Sequence, residues 1–401
     1  MGEIWFKKVH PNFVINMINA KYLVVGSSAA GISAVNTLAK LDPEGSIWCV
    51  TSQAEKPYNK CFLVDLITGQ RQMSQIYLPV NLQVNFLYQT KVLSIDNLNQ
   101  VANLSNGQKI SYQKLFLAIG VSPFVPPIKG LANNVFKFHD LLDTQSIDQF
   151  IKQNEPKRAV IIGAGLTGVE CADALWKKGL HVSIIEQSGN ILGKLLDANG
   201  ADFLQNIIRK CGVEIYLNQT LSQITSNQIY LQSGPILPAD LIVLATGVRP
   251  NGVEMIGQQL DLINGYVLVN QYLQTNIANI WAAGDMAMLP DLLTSSPVAS
   301  CSWPDAMLQG NLAAQNMVGA NKALAGLLPV ANSHFFGKDF ISFGILPQAT
   351  CQHQTDDNYQ LINLDQAGLV QGALLIGDIS LYPNLKRCLL TKQPYEDLAK
   401  L

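Results

Sequence analysis

Two stretches of the chain repeat one hydrophobic pattern. Residues 21–41, KYLVVGSSAAGISAVNTLAKL, open with a short apolar run, break at a glycine and continue with apolar positions at helical spacing. Residues 158–178, RAVIIGAGLTGVECADALWKK, do the same. Each predicts a buried strand, a tight glycine turn and a helix. A second pair of elements repeats at matching places. LFLAIGVSP (115–123) and LIVLATGVRP (241–250) are apolar strands that end in glycine, Gly120 and Gly247, before a loop containing proline.

The glycine spacing gives these turns a chemistry. In the second copy Gly163, Gly165 and Gly168 form GxGxxG between strand and helix. The first glycine permits the turn, the second lets a pyrophosphate approach the backbone, and the third lets helix and strand pack closely. Free N–H groups and the helix dipole then hold the phosphates. The following strand, HVSIIE, ends at Glu186, 21 positions after Gly165, where a carboxylate meets a ribose 2′-hydroxyl and repels a 2′-phosphate. NADH is therefore favoured over NADPH. In the first copy Gly26 and Gly31 are present, but Ser28 takes the middle position. The next strand, SIWCVTSQ, ends in Ser52 and Gln53 with no carboxylate, leaving ribose binding to neutral hydrogen bonds. Two such loops in matching context predict an α/β chain with two Rossmann-like dinucleotide-binding domains.

Size and composition agree. The chain has 401 residues, enough for two or three domains, with 48% hydrophobic and 14% charged residues. The net charge of −2, without a basic stripe, recommends neither nucleic acid nor an anionic membrane as partner. No apolar run is long enough to span a bilayer. The start does not read as a signal peptide, and residues 1–16 are expected to be an extension. Seven scattered cysteines, Cys49, Cys61, Cys171, Cys211, Cys301, Cys351 and Cys388, lack CxxC spacing. They predict free thiols in a reducing, cytoplasmic compartment and no metal site.

Taken in order, GSSAAGISA, PYNKCFL, IIGAGLTGVECADAL, LATGVRPN, WAAGD, SWPDAMLQGNLAAQNMVG and LVQGALLIGD resemble the FAD-dependent pyridine nucleotide–disulfide oxidoreductase family. Within it, the chain is most similar to NADH:rubredoxin reductases and the N-terminal region of assimilatory nitrite reductases. NADH peroxidase and coenzyme A-disulfide reductase form neighbouring branches. The resemblance implies a discontinuous FAD domain, residues 17–130 and 236–318, an inserted NADH domain, 131–235, and a small α+β C-terminal domain, 319–401. That last domain builds a homodimer interface in relatives but is shorter here.

The resemblance also implies site residues. FAD would meet Gly26, Ser28, Ala29, Ala30 and Gly31 of the first loop. Its further contacts would be Ser52, Asn59, Lys60, Gly120, Gly284, Asp285 and Trp303. Asp285, at a strand end, would accept a hydrogen bond from the ribityl chain. Pro304 would lie in the first turn of a helix facing the flavin pyrimidine ring, with Gln309 and Gly310 packing within it. NADH would meet Gly163, Gly165, Leu166, Thr167, Gly168, Glu186 and Gly247, with Glu170 near the nicotinamide.

Hydride transfer between cofactors needs positioning more than acid–base side chains. No catalytic triad is legible, and His10, His139, His181, His334 and His353 read as structural or surface residues. Cys61, Lys60 and Glu170 are the catalytic candidates. Cys61 falls where the peroxidase branch carries its redox cysteine, and Lys60 and a helix start would lower its pKa. The rubredoxin branch lacks this cysteine, and Cys61 reads equally as packing. The other six cysteines read as buried fillers, with Cys301, just before the flavin-facing helix, the least settled. The expected function is hydride transfer from NADH to FAD and onward to a rubredoxin-like protein, a small disulfide or a peroxide. The rival is a dinucleotide-binding sensor or scaffold with little turnover.

Overall fold

The computed structural model describes residues 17–130, 132–252, 255, 259–346 and 351–395. The expected extension at 1–16, with His10, lies outside the described residues.

Two parallel sheets carry the repeated pattern. In the first, the strands Val84–Leu87, Ile47–Val50, Met17–Val25 and Lys109–Leu117 lie side by side in that order. The first half of Lys109–Leu117 also pairs antiparallel with Val101–Leu104, and its second half pairs parallel with Ile280–Ala282. In the second sheet, Glu214–Tyr216, His181–Ile185, Arg158–Ile162, Leu241–Leu244 and Val135–Lys137 are all parallel. The central strands are buried on both faces, which is why they read as continuous apolar runs rather than as alternation.

The second sheet corrects the expected boundary at residue 236. Leu241–Leu244 is buried along its whole length and belongs to the second unit, paired with Arg158–Ile162 and Val135–Lys137. Ile236–Pro238 closes an antiparallel meander with Leu221–Ile224 and Gln228–Leu231. The chain returns to the first unit only after Leu244. The two passages between units then pair antiparallel, Val121–Pro123 against Val248–Pro250.

Helices Ala29–Leu41 and Leu166–Lys177 follow the two glycine turns. The helix Trp303–Met317 packs on the first of these through Gly310, where an added Cβ would lie 2.1 Å from the Ala30 carbonyl oxygen. The C-terminal segment forms a five-stranded antiparallel sheet and the helix Tyr382–Thr391. Its strands alternate at period two, yet both faces are covered. Phe340, Leu361, Leu374 and Ile376 join the core of the second unit, whereas Ile341, Phe343, Ile362 and Leu375 pack in a cluster with Leu385 and Leu389 of that helix.

Candidate functional site

The two glycine turns match bond for bond. The N–H of Gly26 donates to Val50 and that of Gly163 to Ile185. Ala118 and Ala245 donate back to Val25 and Ile162. Gly26 and Gly163 share a φ of +105°, and a Cβ there would sit 2.2 Å from Ala118 O and 2.3 Å from Ala245 O. Gly31 and Gly168 likewise press on the carbonyls of Gly26 and Gly163. These four glycines are required by backbone approach. Gly165 faces open space, and Ser28 occupies its place in the first turn.

Strand pairing corrects the position assigned to the missing carboxylate. Glu186 N–H donates to Tyr216 O, and in the first unit Thr51 N–H donates to Leu87 O. The counterpart of Glu186 is therefore Thr51, not Ser52. Each side chain also accepts from the N–H two residues on, Ser188 for Glu186 (2.8 Å) and Gln53 for Thr51 (3.3 Å). Glu186 Oε2 accepts from Ala164 N–H at 2.7 Å, whereas Thr51 is buried with Ser27 Oγ donating to it at 2.9 Å.

Both turns deliver uncapped helices. Helices Leu141–Asn154, Ala198–Lys210 and Trp303–Met317 are capped by the side chains of Asp140, Asp197 and Ser302. Helices Ala29–Leu41 and Leu166–Lys177 have no side-chain cap and no acidic residue in the first turn. Their leading N–H groups are left for an anion.

These helices meet at a cleft of about 2250 Å³, more than twice the upper end of ordinary ligand pockets. Its wall includes Gly26, Ser28, Ala29 and Ala30 of the first turn. Ser52, Lys60, Cys61, Gly120 and Gly247 join them. Gly284, Asp285 and Trp303 come from the returning segment, and Leu166, Thr167 and Glu170 from the second unit. Gly31, Asn59, Gly163, Gly165, Gly168 and Glu186 stand outside this wall.

The Cys61 environment departs from expectation. Asn59 Oδ1 accepts the Cys61 N–H at 2.9 Å within a 3₁₀ turn, Lys60–Phe62, that leads directly into the short helix Leu63–Thr68, so this N–H is already taken. Lys60 points its Nζ to His139 Nε2, 3.2 Å away. Cys61 opens onto the cleft, yet the protein around it and the nearby Glu170 carboxylate push its thiol up to about 11. The expected thiolate is not favoured. Cys301 is no buried filler: it is exposed to the same cleft, with its thiol raised to about 12 by desolvation and Asp285.

Glu170 is half-buried on the cleft wall and, among the described residues, makes no salt bridge. Burial raises its pKa, and Ser333 Oγ of the C-terminal sheet donates to Oε1 at 2.5 Å. Burial also raises Asp285 to about 6 against the pull of Lys60, and no hydrogen bond reaches its carboxylate among the described residues. His139 is likewise no surface residue, since it lines the cleft and is held down to about 4 by burial and by Lys60. Nothing in the spacing of His139, Ser333 or Thr51 marks them, because each acts through a partner distant in sequence.

The sequence pattern of the family described as pyridine nucleotide-disulphide oxidoreductase matches residues 20–310. The chain belongs to this family. It is 32% identical over 341 residues to the NADH-dependent phenylglyoxylate dehydrogenase subunit epsilon of Aromatoleum evansii, covering 81% of this chain and 79% of that one. It is 30% identical over 328 residues to an NADH oxidase of Methanocaldococcus jannaschii, covering 78% and 72%. An NAD-dependent persulfide reductase from A. fulgidus shares the fold, with a TM-score of 0.87 at 23% identity, over 96% of this chain and 79% of that one. As a pyridine nucleotide-disulphide oxidoreductase, the chain is an NADH-dependent flavin oxidoreductase that passes electrons to a second acceptor, with FAD and NADH as cofactors.

The residues present fit both groups. The uncapped helix starts suit two pyrophosphates, the unpartnered Asp285 carboxylate suits a hydroxyl donor, and Gly165 leaves room for close approach. Among the described residues no helix is long and apolar enough to cross a membrane, and no His/Cys/Asp/Glu group is placed to hold a metal ion.

Proposed function

We propose that the second acceptor is a small redox protein or partner subunit, and that electrons reach it without passing through Cys61. The observation that carries this is the setting of Cys61. Its N–H is taken by Asn59, its neighbouring cation is turned to His139, and carboxylates rather than cations face its sulfur. A thiol that attacks a disulfide or peroxide needs its thiolate, and this site disfavours one. A relative named as a dehydrogenase subunit supports a protein acceptor.

In this reading Gly26, Ser28, Ala29 and Ala30 hold the FAD pyrophosphate at the helix start. Asp285 accepts from a hydroxyl of the FAD polyol, while Gly120, Gly284 and Trp303 shape the wall. Lys60, Cys61, Glu170 and Asp285 bound the end of the cleft that would receive the FAD ring system. Gly163, Gly165, Leu166 and Thr167 hold NADH, and Glu186 takes its ribose. FAD, when bound, supplies a carrier that takes a hydride and gives up electrons singly. The first unit comprises 17–130 and the segment returning after Leu244 to 318, with the NADH unit between. Among the described residues both faces of the C-terminal sheet are covered within the chain, which supports a reading without a homodimer built on that sheet. The free cysteines support a reducing compartment. The sensor reading keeps Ser28 as its motive, while the buried Ser27–Thr51 pair supports an intact strand end in the first unit.

Anaerobic titration with NADH tests this. Full reduction should take one equivalent per FAD in wild type and in Cys61→Ser alike, and turnover with a one-electron protein carrier should survive the substitution. Two equivalents in wild type falling to one in Cys61→Ser would establish Cys61 as a redox centre instead.

A further inference from the structure

Lys60 and His139 form a contact between units, 79 positions apart in sequence. Lys60 lies in the turn Lys60–Phe62 of the first unit, and His139 in the connection between Val135–Lys137 and Leu141–Asn154 of the second. A lysine ammonium can only donate. The ring nitrogen facing it, Nε2, therefore carries the lone pair, and the proton sits on the other nitrogen. Val121, on the passage between units, lines the same wall beside the ring. The main chain of His139 is fixed as well, its N–H donating to Asp143 Oδ2 at 3.1 Å. The imidazole is thus a clamped acceptor.

Among the described residues none of the surrounding carboxylates makes a hydrogen bond to Lys60. Asp140 Oδ1 caps its helix by accepting from Asp143 N–H, and Asp143 takes the His139 N–H and, at 3.7 Å, the Lys137 ammonium. Asp285 faces Lys60 from the first unit without a hydrogen bond of its own, and Glu170 is held by Ser333. Cys61 completes the wall. Among these groups His139 alone makes a hydrogen bond to the Lys60 ammonium.

We propose that His139 is a positioning residue for the flavin site: its neutral ring pins the Lys60 ammonium on the cleft wall, so that a cation supplied by one unit is aimed by a histidine supplied by the other. A fixed cation stabilises negative charge gained on reduction. Without His139 the ammonium is free to turn toward Asp140 and Asp143. The pin holds while the ring is neutral, and burial together with Lys60 keeps it neutral down to about pH 4. The inference rests on the ring system lying beside Lys60, as proposed above.

The test is an anaerobic redox equilibrium of the holoenzyme against a reference dye at pH 7. It compares wild type with Lys60→Met, His139→Leu, His139→Gln and the Lys60→Met/His139→Leu double variant. Lys60→Met and His139→Leu should each move the flavin roughly tenfold toward the oxidised form, the loss of one charge-assisted hydrogen bond. His139→Gln keeps an acceptor oxygen and should restore most of the wild-type ratio. The double variant should shift no further than Lys60→Met. His139→Asn, too short to reach Lys60, should show the same shift and serves if His139→Leu does not retain FAD. A shifted Lys60→Met with unshifted His139 variants overturns the inference alone, as does a double variant shifted beyond Lys60→Met. An unshifted Lys60→Met overturns the placement of the ring system and the inference together.

Discussion

The first and second glycine units share one backbone frame and differ in polar character at the middle of the turn, Ser28 against Gly165, and at the end of the second strand. Strand register, turn hydrogen bonds and the carbonyls pressed by Gly26 and Gly163 correspond. At the end of the second strand they part. Thr51 is buried and closed on Ser27, whereas Glu186 is a half-buried carboxylate that braces its own turn through Ala164 and Ser188. The frame is set by backbone geometry, which tolerates no side chain at the first glycine. The ligand preference is set by the strand end, where a neutral hydroxyl pair and a charge are equally compatible with the fold.

The glycines should show the largest effects and separate the units. Gly26→Val and Gly163→Val each drive a branched side chain onto a carbonyl at positive φ, a local cost of at least about 3 kcal/mol. Gly26→Val should yield protein without flavin. Gly163→Val should keep FAD but fail to bleach with NADH. Equal loss of FAD in both, measured by absorbance, would show that the units do not bind separate cofactors.

The strand ends should give intermediate effects. Glu186→Ala should narrow the NADH-over-NADPH preference by about 1–2 kcal/mol, read as the ratio of reduction rates at low nucleotide. Thr51→Ala should leave that ratio alone while lowering FAD retention. A change in nucleotide preference from Thr51→Ala would break the assignment of the two units.

The smallest effect is a pH slope of opposite sign from each unit. His139 is held near 4, below its ordinary 6.5, so the unfolded chain binds more protons between these values and the stability His139 permits is lost as pH falls through them. Asp285 is raised from 3.8 to about 6, so the folded chain binds more protons there and its contribution is lost as pH rises. Denaturant midpoints between pH 4.5 and 7 should therefore show His139→Gln losing ground against wild type as pH rises, and Asp285→Asn gaining it. Slopes of the same sign would contradict the two environments.

The frame was readable from sequence because glycine spacing and apolar runs are local signals. Gly26 and Gly163 fall at matching places because each unit repeats strand, turn and helix within about 20 residues, and Gly120 and Gly247 each follow a later apolar strand of their unit. What escaped depends on pairing at a distance. The equivalence of Thr51 with Glu186 exists only in strand register, which the residues at the strand end do not encode. The return point slipped because Leu241–Leu244 is as apolar as any strand of either sheet. Lys60 beside Cys61 in sequence suggested a thiolate, but its ammonium turns to His139. Adjacency along a chain does not fix where a long side chain points.

The strand Ile280–Ala282 carries a consequence for synthesis. It covers Leu115, Phe116 and Leu117, which are fully buried in the finished sheet. About 165 residues separate the two partners in the order of translation. At roughly 5–20 residues per second, the nascent chain holds that unpaired edge open for on the order of ten seconds or more. During that interval the whole second unit emerges and folds beside a sheet still lacking its last strand. Such an open apolar edge is a template for mispairing with a neighbouring nascent chain until residue 282 has left the exit tunnel.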